Sequence, residues 1–183
     1  HAPDVGADTG RRVWQLRTSP PRLSPMKRGL LVCIFVTGCG GTADVAGTYT
    51  VSTTSEANTC QLMGWEEGDT ATNIEVVIAQ TDSQATAEVR GLGGGLLQLW
   101  LGSRTLAGEV SGSGVDLTLI GTNDLSAPGC TYTMNAVLDA EVDGDVLQGE
   151  LRYQPQPKEG TCGNLESCEN IQRINGTRPP SIE

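Results

Sequence analysis

The sequence predicts an all-β domain, an antiparallel up-and-down meander of about eight or nine strands closed into a barrel, with a β-sandwich as the alternative. Three observations lead there. From Val45 onward, short stretches rich in β-branched residues alternate apolar and polar side chains with a period of two. The breaks between them are short and rich in glycine, as in "GLGGG" and "SGSG". No window sustains a helical period.

Taken in order, "VAGTYTVSTT" opens the meander, followed by "NIEVVIAQ" and "SQATAEVRG", which Thr81-Asp82 separates. After the glycine run come "LLQLWLG", "TLAGEVSG" and "GVDLTLIGT", each read as a strand. "CTYTMNAVLDAEVDG" and "DVLQGELRYQ" form a hairpin around Asp143-Gly144, and "NIQRINGTR" ends the set. One face follows from the alternation. Tyr132, Met134, Ala136, Leu138, Ala140 and Val142 point inward, as do Leu147, Gly149, Leu151 and Tyr153; Ala85, Ala87 and Val89 continue the row. Mixed large and small residues suit the interior of a small barrel. Asn135, Asp139 and Glu141 point outward, and an acidic outer face opposes edge-to-edge pairing.

"DAEVDGDVLQGE", Asp139 to Glu150, has the spacing of an EF-hand calcium loop, with Gly144 at the sixth place and Glu150 at the twelfth. That loop needs a helix on each side, whereas the flanks here are strands. The expected structure is therefore a hairpin with its acids along the solvent face, and no metal site. "WEEGD" sets Glu66, Glu67 and Asp69 beside Trp65 and reads as a solvated loop.

Upstream of the meander, "MKRGLLVCIFVTGCGG", residues 26–41, follows the order of an export signal. Lys27 and Arg28 precede an apolar run from Leu30 to Val36, then small residues and Cys39. The run is far short of the ~20 residues that span a bilayer as a helix. Val36-Thr37-Gly38-Cys39 resembles the lipobox of bacterial lipoproteins. The resemblance implies cleavage before Cys39, acylation of its sulfur and its new amino group, and anchorage to a membrane of the bacterial cell envelope. Gly40 after the cysteine, in place of Asp, resembles an outer-membrane address. The expected organisation is an over-extended, disordered gene start over 1–25, a signal peptide over 26–38, a lipidated linker over 39–44, the barrel over 45–178 and a tail over 179–183.

Residues 39–183 carry six basic and 20 acidic side chains, a formal charge of −14 against −10 for the whole chain. Such a charge repels nucleic acid, which is not an expected partner. The only histidine is His1, so the domain has no Ser-His-Asp or Cys-His catalysis and no histidine-ligated metal. No enzyme activity and no cofactor are expected. Beyond Cys33 and Cys39 there remain Cys60, Cys130, Cys162 and Cys168, an even number that reads as two disulfides in an exported chain. Four cysteines allow three pairings. The expected pairing joins Cys60 to Cys130 and Cys162 to Cys168, the latter closing the short "CGNLESC" loop.

Gly47-Thr48-Tyr49 opens the first strand and Gly176-Thr177-Arg178 closes the last. Over residues 45–178 this resembles the lipocalins and related calycin barrels, which begin with Gly-x-Trp and carry a late arginine packed across that tryptophan. The resemblance implies a barrel floor closed by Tyr49 and Arg178, or else Arg173. Tyrosine replaces the tryptophan, and the second and third lipocalin motifs are missing. The functional expectation is a monomeric, lipid-anchored barrel that binds a small hydrophobic ligand, with Trp65, Trp100, Met134 and Leu138 as candidate contacts. The alternative is a structural or interaction protein of the envelope with a filled barrel and no ligand.

Overall fold

The computed structural model describes residues 41–180. The lipobox, Val36 to Cys39, and the signal before it lie outside the described residues. The elements in chain order are β1 (Gly47–Asn58), β2 (Thr70–Thr81), β3 (Gln84–Val89), α1 (Gly91–Leu101), β4 (Thr105–Ser111), β5 (Gly114–Leu119), β6 (Leu125–Ala127), β7 (Cys130–Asp143), β8 (Val146–Gly160), a 3₁₀ turn (Gly163–Glu166) and β9 (Asn170–Thr177).

Every pairing is antiparallel, in the order β5-β4-β3-β2-β1-β9-β8-β7. β5 then pairs with β7, from Gly114↔Glu141 to Leu119↔Ala136, and the ring of eight strands is closed. The architecture is thus a barrel and not a sandwich. β6 stands outside the ring as a short arm on β7, with Ala127 opposite Cys130.

The period-two reading holds along β1, β5 and β7. Along β7, Cys130, Tyr132, Met134, Ala136, Leu138, Ala140 and Val142 are all buried, while the residues between them are partly or fully exposed. At about 25 cal/mol per Å² of apolar surface removed from water, this face supplies the drive that closes the sheet. The acidic EF-hand-like stretch is a hairpin: Asp143 pairs with Val146, which leaves Gly144 and Asp145 as the two turn residues, one place later than the sequence suggested. Among the described residues, no three His, Cys, Asp or Glu side chains converge on a metal-sized point.

Two expectations are corrected. "LLQLWLG", read as a strand, belongs to helix α1, and β6, which the alternation did not reveal, restores the count of nine strands. Residues Gly91 to Leu101 carry no charge and are apolar on every side except at Gln98, so no amphipathic period marks them as helical. Glycine is demanded at one point of this helix: a Cβ on Gly94 would stand 2.0 Å from the carbonyl oxygen of Val89. Asn123 holds the other end, its Nδ2 donating to the carbonyls of Gln98 (3.3 Å) and Leu99 (2.8 Å).

The disulfide pairing is corrected as well. Cys60 joins Cys168 and Cys130 joins Cys162, with Cα separations of 5.0 and 4.9 Å. Strand neighbours decide this, not sequence distance. Asn58 at the end of β1 pairs with Asn170 at the start of β9, which brings the flanking Cys60 and Cys168 together. Cys130 pairs with Gly160, two residues before Cys162. Both bridges therefore lie at one end of the barrel, together with α1.

A candidate ligand-binding cavity

The two ends of the barrel differ. At the floor, Tyr49 is fully buried and the Arg178 guanidinium carbon sits 5.6 Å from its ring centroid. Arg178 also binds every chain segment around it. Nε donates to Asp145 Oδ1 (3.1 Å), Nη2 to the carbonyls of Asp44 (3.0 Å) and Gly144 (3.2 Å), and Nη1 to that of Ala46. A cation over an aromatic face away from water contributes about 2 kcal/mol. Gly47 makes room for it: its φ of +148° disfavours other residues, and a Cβ there would meet Arg178 Cδ at 3.0 Å. Arg173, the other candidate for this place, is instead exposed and paired with Glu56 on the outer face. The Tyr49 hydroxyl donates to the Val45 carbonyl at 3.0 Å and fastens the incoming chain.

The opposite end opens into an apolar cavity of about 630 Å³. Its deep wall is the inner face of the barrel, with Val51, Ile78, Ala87, Leu106, Leu138 and Ile174. Its mouth lies between α1 and the loop from Leu62 to Trp65. Three aromatic rings meet there. Trp65 stands edge-on to Tyr153 with centroids 5.5 Å apart, and Trp100 on α1 leans on the same ring at 5.6 Å. Around the opening Met63, Leu96 and Leu99 are exposed, although they are large and apolar.

Of the four candidate contacts, Trp65, Trp100 and Leu138 line the cavity. Met134 is fully buried but is not part of its wall. Two residues that the sequence reading passed over organise the mouth. Asn58 donates through Nδ2 to the carbonyls of Leu62 and Trp65, both at 3.1 Å, and accepts from the Leu62 amide at 2.8 Å. Asn170, fully buried, donates to Asn58 Oδ1 (2.9 Å) and accepts from the Cys60 amide (3.1 Å). This pair ties the mouth loop to the Cys60–Cys168 bridge. Nothing but the proximity of each asparagine to a cysteine marks it in the sequence.

The polar atoms of the cavity are few. The Tyr153 hydroxyl is within hydrogen-bonding distance of Gln172 Oε1, 3.2 Å away, and the Trp65 indole nitrogen is buried with no partner. Burial raises the phenol pKa of Tyr49, Tyr132 and Tyr153 above the ordinary value of 10.0; at Tyr49 the Arg178 charge partly opposes it. These are the only tyrosines in the chain. Above about pH 10 the unfolded chain ionises its tyrosines while the folded one keeps them protonated, so the unfolded state binds fewer protons. Stability held below pH 10 is therefore lost as pH rises through the folded values, by up to about 1.4 kcal/mol per pH unit for each tyrosine. Urea midpoints that fall steadily between pH 10 and 11.5 are expected. Midpoints unchanged over that range would contradict the burial of the phenols.

No protein-family model, curated protein or solved structure gives a significant match to the chain.

Proposed function

We propose that this chain is a binding protein whose lipocalin-like barrel takes up a small hydrophobic molecule, and that acylation at Cys39 holds it on the outer membrane of a bacterial envelope. One observation supports the binding reading above all: an apolar cavity of about 630 Å³ opens through a mouth whose rim exposes Met63, Leu96 and Leu99. Pockets for small ligands are of this size and chemistry, and exposed apolar rims mark sites of contact. A barrel acting only through its outer surface has no need of such a hollow. Binding fits the composition better than catalysis, since the one histidine is His1.

The anchor fits the geometry of the floor. Residues 41–46 lead into β1 at the closed end, where the Ala43 amide bonds the Gly112 carbonyl (2.7 Å) and Gln80 Oε1 accepts from Val45 (2.8 Å). A chain acylated at Cys39 would keep its floor toward the membrane and its mouth away from it. The test of binding is native mass spectrometry of the purified protein, followed by titration with neutral and anionic lipids under tryptophan fluorescence. Trp65 and Trp100 at the mouth should report an occupant by a shift in emission. A protein that is empty and indifferent to every lipid would favour the interaction protein with no ligand.

A further inference from the structure

We propose that the rim of the mouth is a docking face for a partner protein that presents an amphipathic helix, apolar along one side and edged with lysine or arginine. Such docking is separate from ligand uptake, because the residues that carry it lie partly outside the cavity.

Leu92, Leu96 and Leu99 recur on α1 at intervals of four and three, so they form one ridge, about 10 Å long at about 1.5 Å per residue. All three are exposed, Leu92 to 91%, and Met63 on the facing lip is wholly in water. Leu92 is not part of the cavity wall, so a ligand inside leaves it uncovered. The described ends of the chain do not reach it either, since Asp44, Ala46 and Arg178 meet at the floor, the other end of the barrel. Large apolar side chains exposed side by side mark a contact surface.

The charges beside the ridge decide what fits it. Glu66, Glu67 and Asp69 follow Met63 on the same loop, all exposed and all without an ion pair among the described residues. The cations, by contrast, are all engaged. Arg90 and Arg104, which flank α1, bind Glu75 and Glu88, and Arg152, Lys158, Arg173 and Arg178 each hold a carboxylate as well. The rim thus joins an apolar ridge to uncompensated negative charge. A second copy docked face to face would set its own Glu66, Glu67 and Asp69 against these, and an anionic bilayer would repel them too. The anchored orientation proposed above also turns the rim away from the protein's own membrane. A cationic amphipathic helix supplies both complements, apolar side chains at matching intervals for the ridge and lysine or arginine for the loop.

The experiment follows the fluorescence anisotropy of labelled peptides of about 18 residues, long enough to form a helix, in about 0.15 M salt. One is an amphipathic helix of leucine and lysine, one a scramble of the same composition with no apolar face, and one the leucine–glutamate counterpart. The native protein is compared with Leu92→Gln, with Glu66→Gln/Glu67→Gln and with Asp116→Asn/Asp139→Asn, which removes the same charge from cross-strand neighbours on the outer face of β5 and β7. The leucine–lysine helix is expected to bind the native protein at least about tenfold more tightly than either other peptide. Leu92→Gln, at a side chain already in water, should keep the native melting temperature and weaken that binding by about tenfold. Loss of Glu66 and Glu67 should weaken it by about fivefold, and loss of Asp116 and Asp139 by less than about twofold. A scrambled peptide that binds equally well, or an equal loss in Asp116→Asn/Asp139→Asn, would reduce the interaction to net charge and overturn the proposal. Failure of every peptide would overturn it too and leave ligand uptake to its own lipid titration. Vesicles of neutral phosphatidylcholine and sedimentation of the protein alone cover the other occupants. Association with either the vesicles or a second copy that depends on Leu92, without peptide binding, would assign the ridge to that occupant instead.

Discussion

Loss of the Cys60–Cys168 bridge is expected to lower stability by about 5 kcal/mol, and loss of Cys130–Cys162 by about 4 kcal/mol. The estimates follow from the chain each bridge closes, with sequence separations of 108 and 32 residues. Cross-linking restricts the unfolded ensemble, and the longer loop restricts it more. The first bridge spans most of the domain, from the end of β1 to the start of β9, so without it the unfolded chain regains the most freedom. Its loss should also loosen the mouth, because the Cys60 amide and the buried Asn170 hold Asn58 and through it the loop from Leu62 to Trp65. Denaturant unfolding of Cys60→Ala/Cys168→Ala measures the first effect, and peptide mapping without reduction tests the pairing itself. A Cys60–Cys130 peptide would contradict the strand order, since Cys60 follows β1 and Cys130 opens β7, with β9 and β8 between them.

The pairing also shows where a sequence ceases to be legible. The alternation of Tyr132, Met134, Ala136 and Leu138 is a local signal that any solvated barrel strand must carry, and β7 follows it residue by residue. Which strands close the ring is not local. The Cys60–Cys168 contact exists only because β1 meets β9, and no pattern around either cysteine encodes that meeting. Helix α1 was illegible for another reason. Its inward residues Leu97, Trp100 and Leu101 and its outward residues Leu92, Leu96 and Leu99 are all apolar, so the helical period has no polar phase to contrast with. Two of the outward leucines, Leu96 and Leu99, border the mouth. Pro155 and Pro157 likewise hide the second half of β8, since proline lacks the N–H of a central strand. They are tolerated because β9 begins opposite Tyr153, so beyond that point β8 has β7 alone as its neighbour in the ring.

The floor was legible and the cavity only partly so. Gly47-Thr48-Tyr49 and Arg178 carry a recognisable chemistry, an arginine over an aromatic ring with a glycine that admits it, and the structure brings those residues together. Trp65, Trp100 and Leu138 meet around one space because a helix and a loop cover the same end of the barrel. Residue types foretold an apolar lining. The volume left inside depends on the register of eight strands and on no single residue.

That volume is what the proposed binding requires, and filling it is the sharpest perturbation available. Ala87 on β3 is buried, lines the cavity and is flanked across the sheet by Ile78 and Leu106, which line it too. A tryptophan there must push aside neighbours that are themselves almost wholly covered and take up the deep end of the hollow, so Ala87→Trp should fold with a melting temperature at or below that of the native protein. If the new indole displaces about three methylenes of ligand at ~0.8 kcal/mol each, affinity falls by about 60-fold. The measurement is the dissociation constant of a lipid that binds the native protein in the fluorescence titration, for the native protein and for Ala87→Trp, beside the melting temperature of each. A stable variant that has lost binding by about this factor is the expected result. A variant that melts much lower yet binds as the native protein does would contradict a ligand in the barrel, because the space around Ala87 would then be packed protein and the ligand would sit elsewhere.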